Sequence, residues 1–219
     1  MSQAIWILRY HLTNGAEQQY LNWFHTVHIP EKLARPGYLW ATHYEGRMVP
    51  FDQNDNTKSY LALFGGTSTR TFLDPSPSEL RGMQDDLTRE MMTKRHSSQG
   101  AVFAFEWCAN GSGEVQQPKS RQLDYCSISA NGNDEAIGAW AAKNLFSMVQ
   151  KPDFNGSKTY KLIGVTGGGQ YHGILHEHSP LQTGAAIKKD FRPQNSKFFK
   201  DIAVEHFTGQ RIWPNDNGQ

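Results

Sequence analysis

The 219-residue sequence predicts an α+β protein in which two successive βαββαβ units pack sheet to sheet and close an intrachain α/β barrel. Three observations lead to this class. Some short segments alternate between apolar and polar residues or run apolar between turn residues, as strands do, whereas others repeat their apolar residues at helical spacing. The order strand, helix, strand, strand, helix, strand then occurs twice, on either side of one linker rich in glycine, glutamine and serine.

The first unit begins with a strand over Ala4–Leu12. Asn14, with Glu17 three residues on, resembles an N-cap and its return partner ahead of a helix from Gly15 to His28. Pro30 lacks an amide hydrogen and disfavours helical geometry in the residue before it, so this helix is expected to stop near His28. Tyr38–Glu45 and Lys58–Phe64 are strands joined by the polar loop Arg47–Thr57. Ser76-Pro77-Ser78-Glu79 is a capping box with proline at the first helical position, and Leu80, Met83, Leu87 and Met91 continue it as one helix. Ala101–Cys108 completes the unit in the split βαβ, or ferredoxin-like, order.

The second unit repeats the plan. Arg121–Ser129 is a strand, and Ile137, Trp140, Ala141, Leu145 and Met148 mark a helix face. Lys158–Val165 and Gln170–His178 are strands around a Gly167-Gly168-Gly169 hairpin turn, Ser196–Phe207 is a helix, and Gln210–Trp213 is a short final strand. The chain thus divides into a first ferredoxin-like unit (1–110), a linker (111–120), a second unit (121–213) and a loose tail (214–219). Each unit alone leaves one sheet face bare. Two units bury those faces against each other, and the space between the sheets becomes the expected ligand site.

Composition narrows the function classes. Twenty-two basic and 21 acidic residues nearly cancel, and no basic stripe of the kind nucleic acid requires is present. Lys188-Lys189 and Lys94-Arg95 read as solvated faces. No stretch approaches the ~20 apolar residues of a membrane span, and the N-terminus already alternates like a strand where a leader would be apolar, so a cytoplasmic protein is expected. Cys108 and Cys126 lack the close pairing of a metal knuckle and are read as reduced thiols. P-loop, dinucleotide and G-x-S-x-G signatures are absent, and the triple glycine lies between strands where a phosphate cradle would open a helix.

The richest segment is Phe24–Glu45, FHTVHIPEKLARPGYLWATHYE. At about 100° per residue, Trp23, Tyr20, Val27, Phe24 and Leu21 form one apolar arc. His28 falls inside that arc and should face inward, whereas His25 lies at its edge and should be solvated. On the next strand, Tyr38, Trp40 and Tyr44 share one face and His43 the other, with Leu39 and Ala41; the sequence leaves open which face lines the cavity. His11 shares a strand face with Arg9. His176 and His178 could offer two imidazoles to a metal, but no third ligand is evident, and a wet rim or cavity lining is the preferred reading.

The pattern around Leu21–Pro30, with Trp23-Phe24, His28 and Pro30, followed by Pro36-Gly37 and the tyrosine-bearing strand to Tyr44, resembles the EthD-like proteins of the dimeric α/β-barrel superfamily. The close likeness covers residues 17 to 45. The resemblance implies a barrel cavity used for proton-transfer chemistry on small cyclic or aromatic carbonyl compounds, often without metal or cofactor, and only His28 matches the motif's histidine. The corresponding helix of the second unit ends Phe146-Ser147-Met148-Val149-Gln150-Lys151-Pro152, without one.

These readings converge on a cofactor-independent lyase, dehydratase, cyclase or isomerase acting on a small apolar or aromatic carbonyl or phenolic compound. His28 would move the proton, and Tyr44 or His43 would steady an enolate or phenolate. Tyr20, Phe24, His25, Tyr38, Trp40, His11 and His176 would contact substrate. No cofactor is expected. The alternatives are a non-catalytic small-molecule-binding or stress-response barrel and a haem- or metal-dependent oxidoreductase. No nucleic acid or membrane partner is expected, and the assembly expected is a homodimer of complete barrels.

Overall fold

The computed structural model describes residues 2–50, 58–109, 117–132, 134–148, 154–166, 172–178 and 199–215. Eight strands, β1 (Ala4–Leu12), β2 (Tyr38–Pro50), β3 (Lys58–Gly66), β4 (Arg95–Ala109), β5 (Gln122–Gly132), β6 (Phe154–Thr166), β7 (His172–His178) and β8 (Phe199–Trp213), close a barrel in the order β1-β3-β2-β8-β5-β7-β6-β4. Every neighbouring pair is antiparallel. The first half runs β4-β1-β3-β2 and the second β8-β5-β7-β6, the same permutation, which is the ferredoxin-like order. The halves join at two seams, β2 with β8 and β4 with β6, so each sheet edge finds a partner.

Both faces of the first half's strands are buried, because one looks into the barrel and the other lies under helices. Ile5, Ile7, Tyr44, Leu61, Leu63 and Phe103 meet Leu123, Tyr125, Tyr160, Leu175 and Phe207 inside the barrel. Arg9, in step with Ile5 and Ile7 on β1, pairs with Glu205 of β8, two strands away in the barrel order, so this ion pair spans the interior. The space between the sheets is therefore filled with side chains, contrary to the expected ligand site. On the outer face Ala4, Trp6, Leu8, Tyr10, Tyr60, Ala62 and Phe64 pack against Tyr20, Trp23, Phe24 and Ile29 of the helices.

The first helical segment departs from expectation. It runs as α1 (Glu17–Trp23), a π turn (Phe24–His28) and α2 (Ile29–Leu33), continuing past Pro30. The amide of Ile29 bonds the carbonyl of Phe24, five residues back, and this widened turn places Pro30 in the first turn of a new α segment, where a missing amide hydrogen is tolerated. His28 consequently sits inside the helical rod and not at its end. Asn14 does not cap it; Ala16 stands at the N-cap without a side-chain bond.

Ser76 and Glu79 do form the reciprocal capping box of α4 (Pro77–Arg81), after a one-turn α3 (Arg70–Leu73). The expected single helix is split, however, because Asp85 caps a separate α5 (Asp86–Thr93); Met83 and Leu87, 74% and 48% exposed, do not belong to its buried face. α6 (Asp134–Met148) covers Cys126, Ile128, Ile174 and Val204 with Ile137 and Ala141. The helix expected over Ser196–Phe207 is replaced, from Phe199 onward, by β8, which pairs with both β2 and β5. Closure demands a strand there, and tertiary pairing overrides local spacing. Gly167–Gly169, Lys188-Lys189, linker residues 110–116 and tail residues 216–219 lie outside the described residues.

Candidate functional site

Chain order brings the chemistry to the outer face of the first half, between helices and sheet. A cavity of about 290 Å³ opens there. Trp6 and Leu8 of β1 and Gly100 of β4 form its floor, His28 and Lys32 one wall, and Pro77, Leu80, Arg81, Gln84, Met92, Arg95 and Ser98 the remainder. The floor is shaped by a small residue: a Cβ on Gly100 would lie 3.1 Å from Trp6 Nε1. Ser97, at φ 50°, lies in β4 beside the shift of β1–β4 register between Arg9 and His11.

His28 is 6% exposed, with its ring 4.8 Å from that of Trp23 and stacked at 5.3 Å on Phe24. Its Nδ1 has no hydrogen-bond partner among the described residues. Burial holds its basicity well below the usual histidine value, and the charges of Lys32, Arg95 and Arg35 push the same way, so the imidazole is neutral at pH 7. Lys32, one turn further along, is also 6% exposed and has its ammonium 5.5 Å above the Trp6 ring. Burial, followed by the charge of Arg35, lowers its pKa to about 8. The Arg95 guanidinium lies over the rings of Tyr10 and Tyr20 at 5.3 and 5.9 Å and touches Met92 Sδ.

A second cluster lies on the other side of Phe24. His25 Nε2 is 2.8 Å from His43 Nδ1, and His43 Nε2 is 2.8 Å from the Tyr10 hydroxyl. His43 is fully buried, and burial, then the proximity of His25 and Arg95, holds it neutral. A neutral His43 has one N–H, so the chain can run either way: His25 donating toward Tyr10, or Tyr10 toward His25. His25 is half-buried, stacks on Trp213 and bonds His43; it is not simply solvated.

The expected catalytic group is thus not assembled as such. His28 and His43 both pack on Phe24, while Tyr44 points into the barrel with Trp40, separated from them by the sheet. Tyr38 does not share that inner face: a register shift between Tyr38 and Trp40 turns it to the helix side, edge-on to Phe72 at 5.1 Å. Tyr20 and Phe24 are fully buried beneath Tyr10 and line neither described cavity. His11 accepts or donates at Lys58 O, 3.0 Å away, and stacks on His96. His176 lies in register with Asp124 and Ser157, but its side chain and that of His178 fall outside the described set. Among the described residues no group of three or more His, Cys, Asp or Glu has metal-holding geometry. The second half's helix-side face carries a buried pair of its own, His206 Nε2 and Asp124 Oδ1, 3.2 Å apart.

Sequence reasoning missed Lys32, Arg95 and Trp6. Lys32 is four residues beyond His28, a spacing that would have placed both on one face had the helix been carried past Pro30.

Comparison with known proteins bears on the fold. No protein-family model matches the chain, and no curated protein sequence matches it. Solved structures do. An anthrone oxidase-like protein superposes with a TM-score of 0.60 at 10% identity, covering 95% of this chain and 92% of that one. The fold is that of the dimeric α/β barrels. A candidate monooxygenase from Fusobacterium nucleatum matches with a TM-score of 0.54 at 6% identity over 95% and 94% of the two chains. A candidate chlorite dismutase gives 0.54 at 13% identity over 94% and 95%. No helix among the described residues is long and apolar enough to cross a membrane.

Proposed function

We propose that the chain is a cofactor-independent acid/base enzyme, a lyase, dehydratase, cyclase or isomerase, that acts on a small aromatic carbonyl or phenolic compound held between the helices and the first half's sheet. One observation carries the reading: a buried, neutral His28 with an unpartnered nitrogen forms a cavity wall with the Lys32 ammonium. Neutral imidazole is the form that removes a proton from a carbon acid or phenol. The electron pair left behind settles on the substrate oxygen, and Lys32, with the Trp6 N–H, is the group available to stabilise it. Lys32 and Arg95 oppose a lasting imidazolium, so His28 readily returns the proton to another atom, as isomerisation or elimination requires. Tyr44 and His43, first expected to steady the anion, have no part in this arrangement.

The EthD-like likeness of Leu21–Pro30 supports the same residue, and the identical strand order of the two halves supports descent as a tandem-repeat member of that group. The site lies within one chain, so a homodimer of complete barrels would carry two independent sites. The mixed polar lining favours catalysis over storage. An oxidoreductase is the second reading, favoured by fold neighbours described as oxidase-like and as a candidate monooxygenase; deprotonation by His28 would also precede transfer of electrons to dioxygen.

Deuterium wash-in followed by proton NMR on a panel of small aryl ketones, anthrone included, tests the assignment. The wild type should accelerate exchange at the acidic carbon, and His28→Ala should lose roughly 10²- to 10⁴-fold of that rate with the fold intact. An unchanged rate in His28→Ala would remove His28 from the chemistry, and substrate-dependent oxygen uptake would select the oxidoreductase reading.

A further inference from the structure

Three cationic side chains, Lys32, Arg81 and Arg95, line the cavity, and no acidic side chain does. Lys32 makes no ion pair among the described residues and is nine-tenths buried. Arg95 leaves its buried Nη1 without a hydrogen-bond partner, and the same holds for Trp6 Nε1 and His28 Nδ1. Buried donors and charges without partners are costly, by several kcal/mol for an isolated ion. The Trp6 and Tyr10 rings offset a fraction of this through their π faces but carry no net negative charge. Such a grouping is at its most stable when an anion enters.

We infer that the ligand of this cavity is an anionic, flat molecule, a one- or two-ring aromatic carboxylate or an equivalent oxyanion, whose negative group is held by Lys32 and Arg95. This rests on the cavity identified above as the catalytic one and specifies its substrate class. The exposed Arg81 at the cavity's edge extends the positive field outward and draws the anion in. The ring then lies over the apolar floor of Trp6 and Leu8, within reach of His28 on the adjoining wall. Lys32 therefore serves recognition through its charge, and its depressed pKa rises when the anion binds.

Isothermal titration with 1-naphthoate and its neutral counterpart 1-naphthamide tests the inference without requiring turnover. The wild type should bind the acid at least tenfold more tightly than the amide. Lys32→Met and Arg95→Met should each remove most of that preference, Lys32→Arg should retain it, and His28→Gln should keep it while abolishing exchange. Circular dichroism of each variant separates lost charge from lost fold. Equal affinity for acid and amide, no binding of the acid at millimolar concentration, or an unchanged preference in both methionine variants would overturn the anionic class. Naphthoate binding through Lys32 and Arg95 combined with a catalytically silent His28 would instead overturn the acid/base reading alone.

Discussion

His25 and His43 are joined Nε2 to Nδ1 at 2.8 Å, one on the helical rod and the other on β2, with no carboxylate in the bond. Neither ring is stabilised as an imidazolium. Burial lowers the His25 pKa from 6.5 to about 4, and burial, followed by His25 and Arg95, lowers that of His43. The unfolded chain takes up these protons near pH 6.5 and the folded one does not, so their contribution to stability is complete above about 6.5 and declines as pH falls toward 4. Urea midpoints should drop through that window, and His25→Gln should flatten the decline. A pH-independent midpoint between 7 and 4.5 would contradict the neutral pair.

Phe24 is fully buried and its ring packs on Tyr10, Tyr20, Trp23, His28 and His43. Phe24→Ala should destabilise the protein by about 3–5 kcal/mol and Phe24→Leu by less, since both remove packing but only the first leaves a large void. Equilibrium urea unfolding measures both. Because Phe24 also sets the position of His28, the leucine variant should lose activity beyond what its stability predicts.

Trp40 fills the barrel over Gly65, where a Cβ would come within 2.1 Å of the indole. Gly65→Ala should therefore cost about 1–3 kcal/mol through overpacking. Trp40→Leu in the same chain should recover part of that loss, giving a non-additive double-mutant cycle in thermal unfolding. Simple additivity would mean that the interior is looser than the packing described.

Splitting the chain within 110–116 frees β2 and β4, the two strands through which the first half meets the second. A fragment of residues 1–112 should pair with itself or precipitate, because open sheet edges and a bare apolar face recruit other chains. Light scattering with circular dichroism reads the result. A folded monomer at micromolar concentration would show that the seams are dispensable.

Much of the first half was legible. β1 announces itself by position and composition, and the Ser76–Glu79 box is a signal with its own geometry. Orientation was not legible, because alternation identifies an inner face only when the other face is wet. Here Ile5 and Ile7 face the barrel while Ala4, Trp6 and Leu8 face helices, and all are apolar. The same double burial hid which of Tyr44 and His43 looks inward. β8 was misread as a helix because its pairing on both sides is a long-range demand that local spacing does not carry. Lys32 and Arg95 escaped notice because charged residues on amphipathic segments are usually solvated, and their burial follows from packing around Trp6 and Tyr10.

The π turn makes the site sensitive to chain length in a way that substitution does not reveal. It holds five residues where an α-helix would advance with fewer, so deleting Thr26 would let the segment revert to an uninterrupted α-helix. Everything beyond the deletion would then rotate by about 100° relative to α1. His25, N-terminal to the gap, would keep its place beside His43, whereas His28 and Lys32 would swing together away from Trp6. The cavity wall and the buried histidine pair are thereby set in different phases of one rod, and a single-residue deletion would separate them while leaving every participating side chain in the sequence.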